Sequence, residues 1–148
     1  MSLLDNVDLI EIKLYYKYIK TPNSKKLIIL EDEKAEELLA DEEKAKDIEV
    51  LVTQWSMPNW KEQNEVQNEV DRASSQSINP ETGEKPLNYF VYRDVIVKKC
   101  LKTWNLTVNE ESVPVSPENI DKLPAHVVVN IFDKFQKFIE FGEEELGN

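Results

Sequence analysis

One cysteine, one histidine and three glycines are all that 148 residues contain of those types, and no apolar run approaches the ~18 residues of a membrane span. Each scarcity excludes something. Cys100 alone permits no internal disulfide and no cysteine metal cluster, which fits a reducing compartment. His126 alone would have to serve any Ser-His-Asp or Cys-His chemistry, and it stands beside no ligand pattern. Three glycines are too few for a glycine-cradled phosphate site, and no Walker loop, dinucleotide fingerprint, calcium loop or zinc spacing is present. Carboxylates are so plentiful that no pair of them singles itself out for acid-base work. The expectation is a protein that is not an enzyme and has no cofactor and no metal.

Positive charge is also short. Eighteen Lys and Arg face 29 Asp and Glu, giving a net charge of -11 and a pI near 4.6. That sign opposes phosphate backbones and anionic membrane surfaces, so neither nucleic acid nor membrane is an expected partner, whereas a basic protein is. The first residues, MSLLDNVDLIEIK, hold no apolar run of signal-peptide length, and a cytoplasmic protein is expected. The sequon at Asn105-Leu106-Thr107 is then a chance match. A length of 148 residues predicts one domain, here residues 1–142, followed by an acidic tail at 143–148.

What is there reads as follows. Ile10, Ile12, Leu14, Tyr16 and Tyr18 fall on every second residue, which is strand periodicity. Thr21-Pro22-Asn23-Ser24 supplies a turn and residues 26–30 a second apolar run, so residues 8–30 predict a β-hairpin. Such a hairpin must pack on something. Residues 31–49 are the most acidic stretch and are built of good helix formers. From Asp41, a candidate N-cap, the stripe Ala45, Ile48, Val52 and Trp55 suits an amphipathic helix, so the stretch predicts one short and one longer helix or a single bent one. Ser56-Met57-Pro58-Asn59 breaks it, and a polar helix over residues 60–72 follows, either packed mainly through Trp60 or held loosely on the surface. Residues 73–88 predict a long loop with a turn at Pro80-Glu81-Thr82-Gly83.

Residues 89–104 predict the core helix. Phe90, Val97, Leu101 and Trp104 form one apolar line, and Tyr92, Ile96 and Cys100 form a second beside it. Lys98 and Lys99 would lower the Cys100 pKa if they faced it, but a cysteine on an apolar helix also serves as a small buried hydrophobe. Leu106-Thr107-Val108 and Val113-Pro114-Val115 predict a short hairpin around Asn109–Ser112. Ser116 is an N-cap with Pro117 at the first helical position, and Leu123-Pro124 restarts the chain. Val127, Val128, Ile131, Phe132, Phe135, Phe138 and Ile139 then give the strongest helical stripe, ended by Gly142 and packed against residues 89–104. The fold class is α+β, mainly α-helical, with the N-terminal β-hairpin packed on a small helical bundle.

The segments QWSMPNWKEQNEV, NPETGE leading into NYFVYRDVIVKKCLKTWNL, and VPVSPENIDKLPAHVVVNIFDKF together resemble small bacteriophage proteins of the tail assembly chaperone type, over about residues 55–135. In that group a helix ending in Trp-Asn-Leu precedes a short polar hairpin, a proline-led turn and a Leu-Pro helix start. Trp104-Asn105-Leu106, Ser116-Pro117 and Leu123-Pro124 match it, and the hairpin of residues 10–30 lies outside the match. The resemblance implies a non-enzymatic helper in the host cytoplasm that binds a tail protein, such as the tape-measure protein, and keeps it soluble during morphogenesis.

Candidate partner-binding residues are the acidic Glu36, Glu37, Glu42 and Glu43, the tryptophans Trp55 and Trp60, and Tyr16 and Tyr18 of the hairpin. The acidic run is either a docking surface or simply a solvated face. The tryptophans are either an exposed patch or core posts. An alternative is a small structural subunit of the virion (tail, neck or baseplate) that builds a homo-oligomer through the hairpin edge. A second alternative is an acidic nucleic-acid mimic that inhibits a DNA-binding protein.

Overall fold

In the computed structural model of the chain, residue 4 and residues 9–75, 80–83 and 89–146 are described. The fold is α+β. Its strands are β1 (Ile10–Thr21), β2 (Ser24–Leu30), β3 (Glu49–Trp55), β4 (Leu101–Trp104), β5 (Thr107–Val108) and β6 (Glu111–Ser112). Its helices are α1 (Asp32–Leu39), α2 (Glu42–Ala45), α3 (Trp60–Ser75), α4 (Tyr89–Cys100), α5 (Pro117–Asp121) and α6 (Ala125–Leu146).

The expected hairpin of β1 and β2 is present, but it is part of a larger object. The strand order is β2-β1-β3-β4, every pairing antiparallel. The helix expected through Val52 and Trp55 is instead strand β3. Leu51, Thr53 and Trp55 are buried at every second residue, the period of a pleated strand, and Val50, Val52 and Thr53 are β-branched. Asp41 does cap a helix, accepting from the amides of Glu43 and Lys44, but that helix is the single turn α2. Because β2 and β3 both run antiparallel to β1, they are parallel to each other and need a crossover, which α1 and α2 supply.

The core helix stops earlier than expected, at Cys100. Residues 101–104 leave it as β4 and pair with the end of β3, across a register shift between Gln54 and Trp55. Three consecutive residues of α4, Val95, Ile96 and Val97, are buried together with Cys100, so α4 is covered on more than one side. Phe90 is not part of that core, being 70% exposed. The helix α3 opens on a reciprocal cap, in which the Glu62 amide donates to Asn59 Oδ1 and the Asn59 amide to Glu62 Oε1. It packs on α4 through Val66, Val70 and Ser74 rather than through Trp60, and the Lys99–Glu65 pair at 2.7 Å ties the two helices.

Helix α6 lies against the sheet, with Ile131, Phe132 and Phe135 fully buried. The Phe135 ring stacks on Trp55 at 4.5 Å, while Phe132 meets the rings of Tyr89 and Tyr92 edge-on. The backbone of α6 continues past Gly142 to Leu146, where a tail was expected; Gly147 and Asn148 lie outside the described residues. The loop expected over 73–88 begins later, because α3 runs to Ser75. The turn at Pro80–Gly83 is present, with Gly83 at φ 72°, and residues 76–79 and 84–88 lie outside the described residues.

The short hairpin after β4 is tighter than expected. It pairs Thr107 with Ser112 and Val108 with Glu111, around Asn109 and Glu110 at φ 52° and 69°. Two successive left-handed residues make a type I′ turn, whose twist matches that of the strands it joins. Ser116 caps α5 as expected, accepting from the Asn119 amide, with Pro117 in the first turn.

Candidate functional site

The register of β1 shapes a two-stranded extension of the sheet. Ile10–Tyr16 pair with β3, whereas Tyr15–Thr21 pair with β2, so the two ladders overlap only at Tyr15 and Tyr16. Beyond that point β1 and β2 continue as a two-stranded arm of about five residue pairs, roughly 17 Å long. Thr21 closes its tip, its hydroxyl lying 3.0 Å from the Ser24 carbonyl and 2.8 Å from the Ser24 hydroxyl.

Charge is segregated between this arm and the crossover that follows it. The arm, residues 17–28, carries four lysines and no carboxylate, whereas residues 31–49 carry ten carboxylates and three lysines. The arm is thus +4 and the crossover -7 in a chain whose net charge is -11. Among the described residues, none of Lys17, Lys20, Lys25 and Lys26 has a carboxylate within ion-pair distance. Lys25 instead sits 5.9 Å over the Tyr18 ring. Sequence reasoning singled out the acid run and passed over these lysines. The signal was available in the sign change at Leu30.

Of the candidate residues, Tyr16 and Tyr18 are brought together, their rings edge-on at 5.9 Å. With Leu27, Leu51, Leu106, Leu123, Pro124 and Val127 they line a cavity of about 90 Å³ where the arm leaves the body. Burial first, and the Glu49 carboxylate that it bonds second, push the Tyr16 hydroxyl up to about 12. Glu36, Glu37, Glu42 and Glu43 are all exposed on α1 and α2, and only Glu37 and Glu43 have partners, Lys34 at 3.9 Å and Lys46 at 3.5 Å. Such solvated pairs hold the carboxylates weakly and leave the surface acidic.

The two tryptophans part company. Trp55 is 0% exposed and is corrected to a core residue, because a strand position facing α6 places it under Phe135. Its indole N–H donates to Thr53 Oγ1 at 2.7 Å, and that hydroxyl donates to the Ile12 carbonyl at 2.7 Å. Trp60 is 80% exposed in the first turn of α3, beside exposed Met57. It is available to a partner but distant in sequence from the arm and the acidic crossover.

The residues that carry chemistry elsewhere are occupied structurally. Burial pushes the Cys100 thiol up to about 11, so the neighbouring lysines do not activate it. Lys99 bonds Glu65, and Lys98 bridges Asp94 at 3.1 Å and Asp121 at 2.9 Å. His126 is exposed at the start of α6. Among the described residues no cluster of three His, Cys, Asp or Glu is placed to hold a metal ion, and no helix is long and apolar enough to cross a membrane.

The segments behind the expected chaperone-type pattern act as joints. Trp104 Nε1 donates to the Val113 carbonyl at 2.6 Å. The Asn105 amide behaves like a strand peptide, accepting from the Val52 amide at 2.9 Å and donating to the Val50 carbonyl at 3.0 Å. It thereby caps the stretch of β3 that β4 does not reach. Comparison of the chain with family models, curated proteins and solved structures found no match.

Proposed function

We propose that the protein is a non-enzymatic assembly helper of the bacteriophage tail assembly chaperone type, acting in the host cytoplasm on a long tail protein such as a tape-measure protein. The observation that carries this reading is the segregation of charge on one small body. An exposed carboxylate surface of Glu36, Glu37, Glu42 and Glu43 suits a basic client segment, and the net charge keeps the complex soluble. The polar hairpin of β5 and β6 and the Ser116-Pro117 helix start fall where the resemblance expects them, whereas Trp104 closes strand β4 and not the helix that the resemblance expects.

One observation favours a second reading, a structural subunit of the tail, neck or baseplate: the outer edge of β2, unpaired among the described residues, which suits addition of a neighbour's strand. Quantitative mass spectrometry of purified mature particles separates the two. A chaperone is abundant in infected cells and absent from particles, whereas a subunit is present in many copies per particle.

A further inference from the structure

The strand order and the staggered register leave several sheet edges open among the described residues, and the fold treats three of them differently. Where β4 falls short, the Asn105 side chain caps β3. Where β2 ends, Lys134 Nζ donates to the Lys13 carbonyl of β1 at 2.7 Å and to Asp32 at 2.6 Å. The outer edge of β2 has no such cap, and no described element pairs with it along its seven residues. An uncapped edge whose Leu27–Leu30 half is apolar invites strand addition.

We propose that this edge is a docking site for an extended segment of a partner protein, acidic at one end and apolar at the other, added as a fifth strand. The inference deepens the protein-binding reading above and rests on it only for the partner being a protein. Lys25 and Lys26 occupy the tip end of β2, Lys25 opposite Lys20 on one face of the arm and Lys26 on the face of Lys17, and none of the four has a carboxylate partner among the described residues. Acidic side chains of an added strand fall beside them. Leu27, Ile28 and Ile29 follow, half-buried, and Leu27 also walls the 90 Å³ cavity, so apolar side chains fall there.

Charge argues against the other occupants. A second copy joined edge to edge would bring two +4 arms into one sheet and supply no carboxylate to either. A nucleic acid would follow the lysines only to the base of the arm, where the -7 crossover repels it. A short strand with its own carboxylates meets neither obstacle.

The test uses the full chain and fluorescein-labelled eight-residue peptides joining three glutamates to Val-Ile-Val-Thr-Val, with the glutamates first or last, read by anisotropy. At least one should bind, with affinity falling tenfold or more when its glutamates become lysines, when alternate amides are N-methylated, or in the Lys25→Glu/Lys26→Glu variant. Both lysines are exposed, so that variant keeps the fold. Equal binding of the lysine or N-methylated peptides overturns the proposal, as does duplex DNA binding to the arm in their place. A dimer that the double variant dissolves would assign the edge to a second copy and overturn it too. Failure of the peptides with tail-protein recovery intact removes the docking edge alone; peptide binding without any tail client removes the proposed function alone.

Discussion

Thr53 shows how much a single buried hydroxyl arranges. It accepts from the Trp55 indole and donates to the Ile12 carbonyl, so one side chain fixes the indole and satisfies two groups sealed from water. Thr53→Val keeps the shape and strands both partners, and it should cost about 1–3 kcal/mol in urea denaturation. A cost under about 0.5 kcal/mol would show the hydroxyl to be idle. Trp55→Ala should cost more, about 3–5 kcal/mol, because it opens a void under Phe135. Trp60→Ala should stay within about 0.5 kcal/mol of wild type, its ring being in solvent. Cys100 contributes to the alkaline limb of stability. Below pH 9 its thiol is neutral in both folded and unfolded chains. Above that the unfolded thiol ionises while the buried one resists to about 11, so stability is lost as pH rises from 9 to 11. Cys100→Ala should flatten that limb, and the native thiol should react with a disulfide reagent only as fast as the chain opens. Tyr16 adds a similar loss between its ordinary value near 10 and about 12.

At the scale of elements, the segments with one unambiguous period were legible and the short ones were not. Residues 10–18 alternate and form β1; residues 125–139 repeat at helical offsets and form most of α6. Residues 49–55 satisfied both periods. Val52 and Trp55 sit at a helical offset from Ile48, while Leu51, Thr53 and Trp55 alternate, and the polar Thr53 hid the second pattern. Residues 101–104 continue the stripe of α4, yet pairing of Thr103 with Gln54 and of Trp104 with Thr53 draws them into the sheet. That long-range pairing leaves no local mark. Glycine scarcity shows at the β5-β6 turn, where Glu110 occupies φ 69° with a Cβ. Glu110→Gly should therefore stabilise by about 0.5–1 kcal/mol in thermal or urea unfolding. Loss of stability would mean that the Glu110 side chain makes a contact worth more than its strain. Asn105→Ala should cost about 1 kcal/mol and speed exchange of the Val52 amide, which its side chain holds.

The candidate site was half legible for a reason that belongs to the whole molecule. Composition reports the sum of charge, -11, and the sum is dominated by the crossover, so the acidic residues drew notice. The +4 arm was concealed within that total until the register of β1 separated it from the body. Tyr16 and Tyr18 were found because strand alternation put them on one face, whereas Trp55 was misplaced with the helix that proved to be β3. A body carrying opposed charged surfaces is suited to holding a partner without chemistry, and its grip should weaken as salt screens it over a Debye length of about 8 Å at physiological strength. The most direct measurement of the account is co-expression of a tagged chain with phage tail proteins of the tape-measure type, with the soluble complex weighed by native mass spectrometry. The account predicts a stoichiometric complex with a long tail protein, and precipitation of that protein when the chain is withheld. A chain recovered alone, beside tail proteins equally soluble without it, would contradict the account.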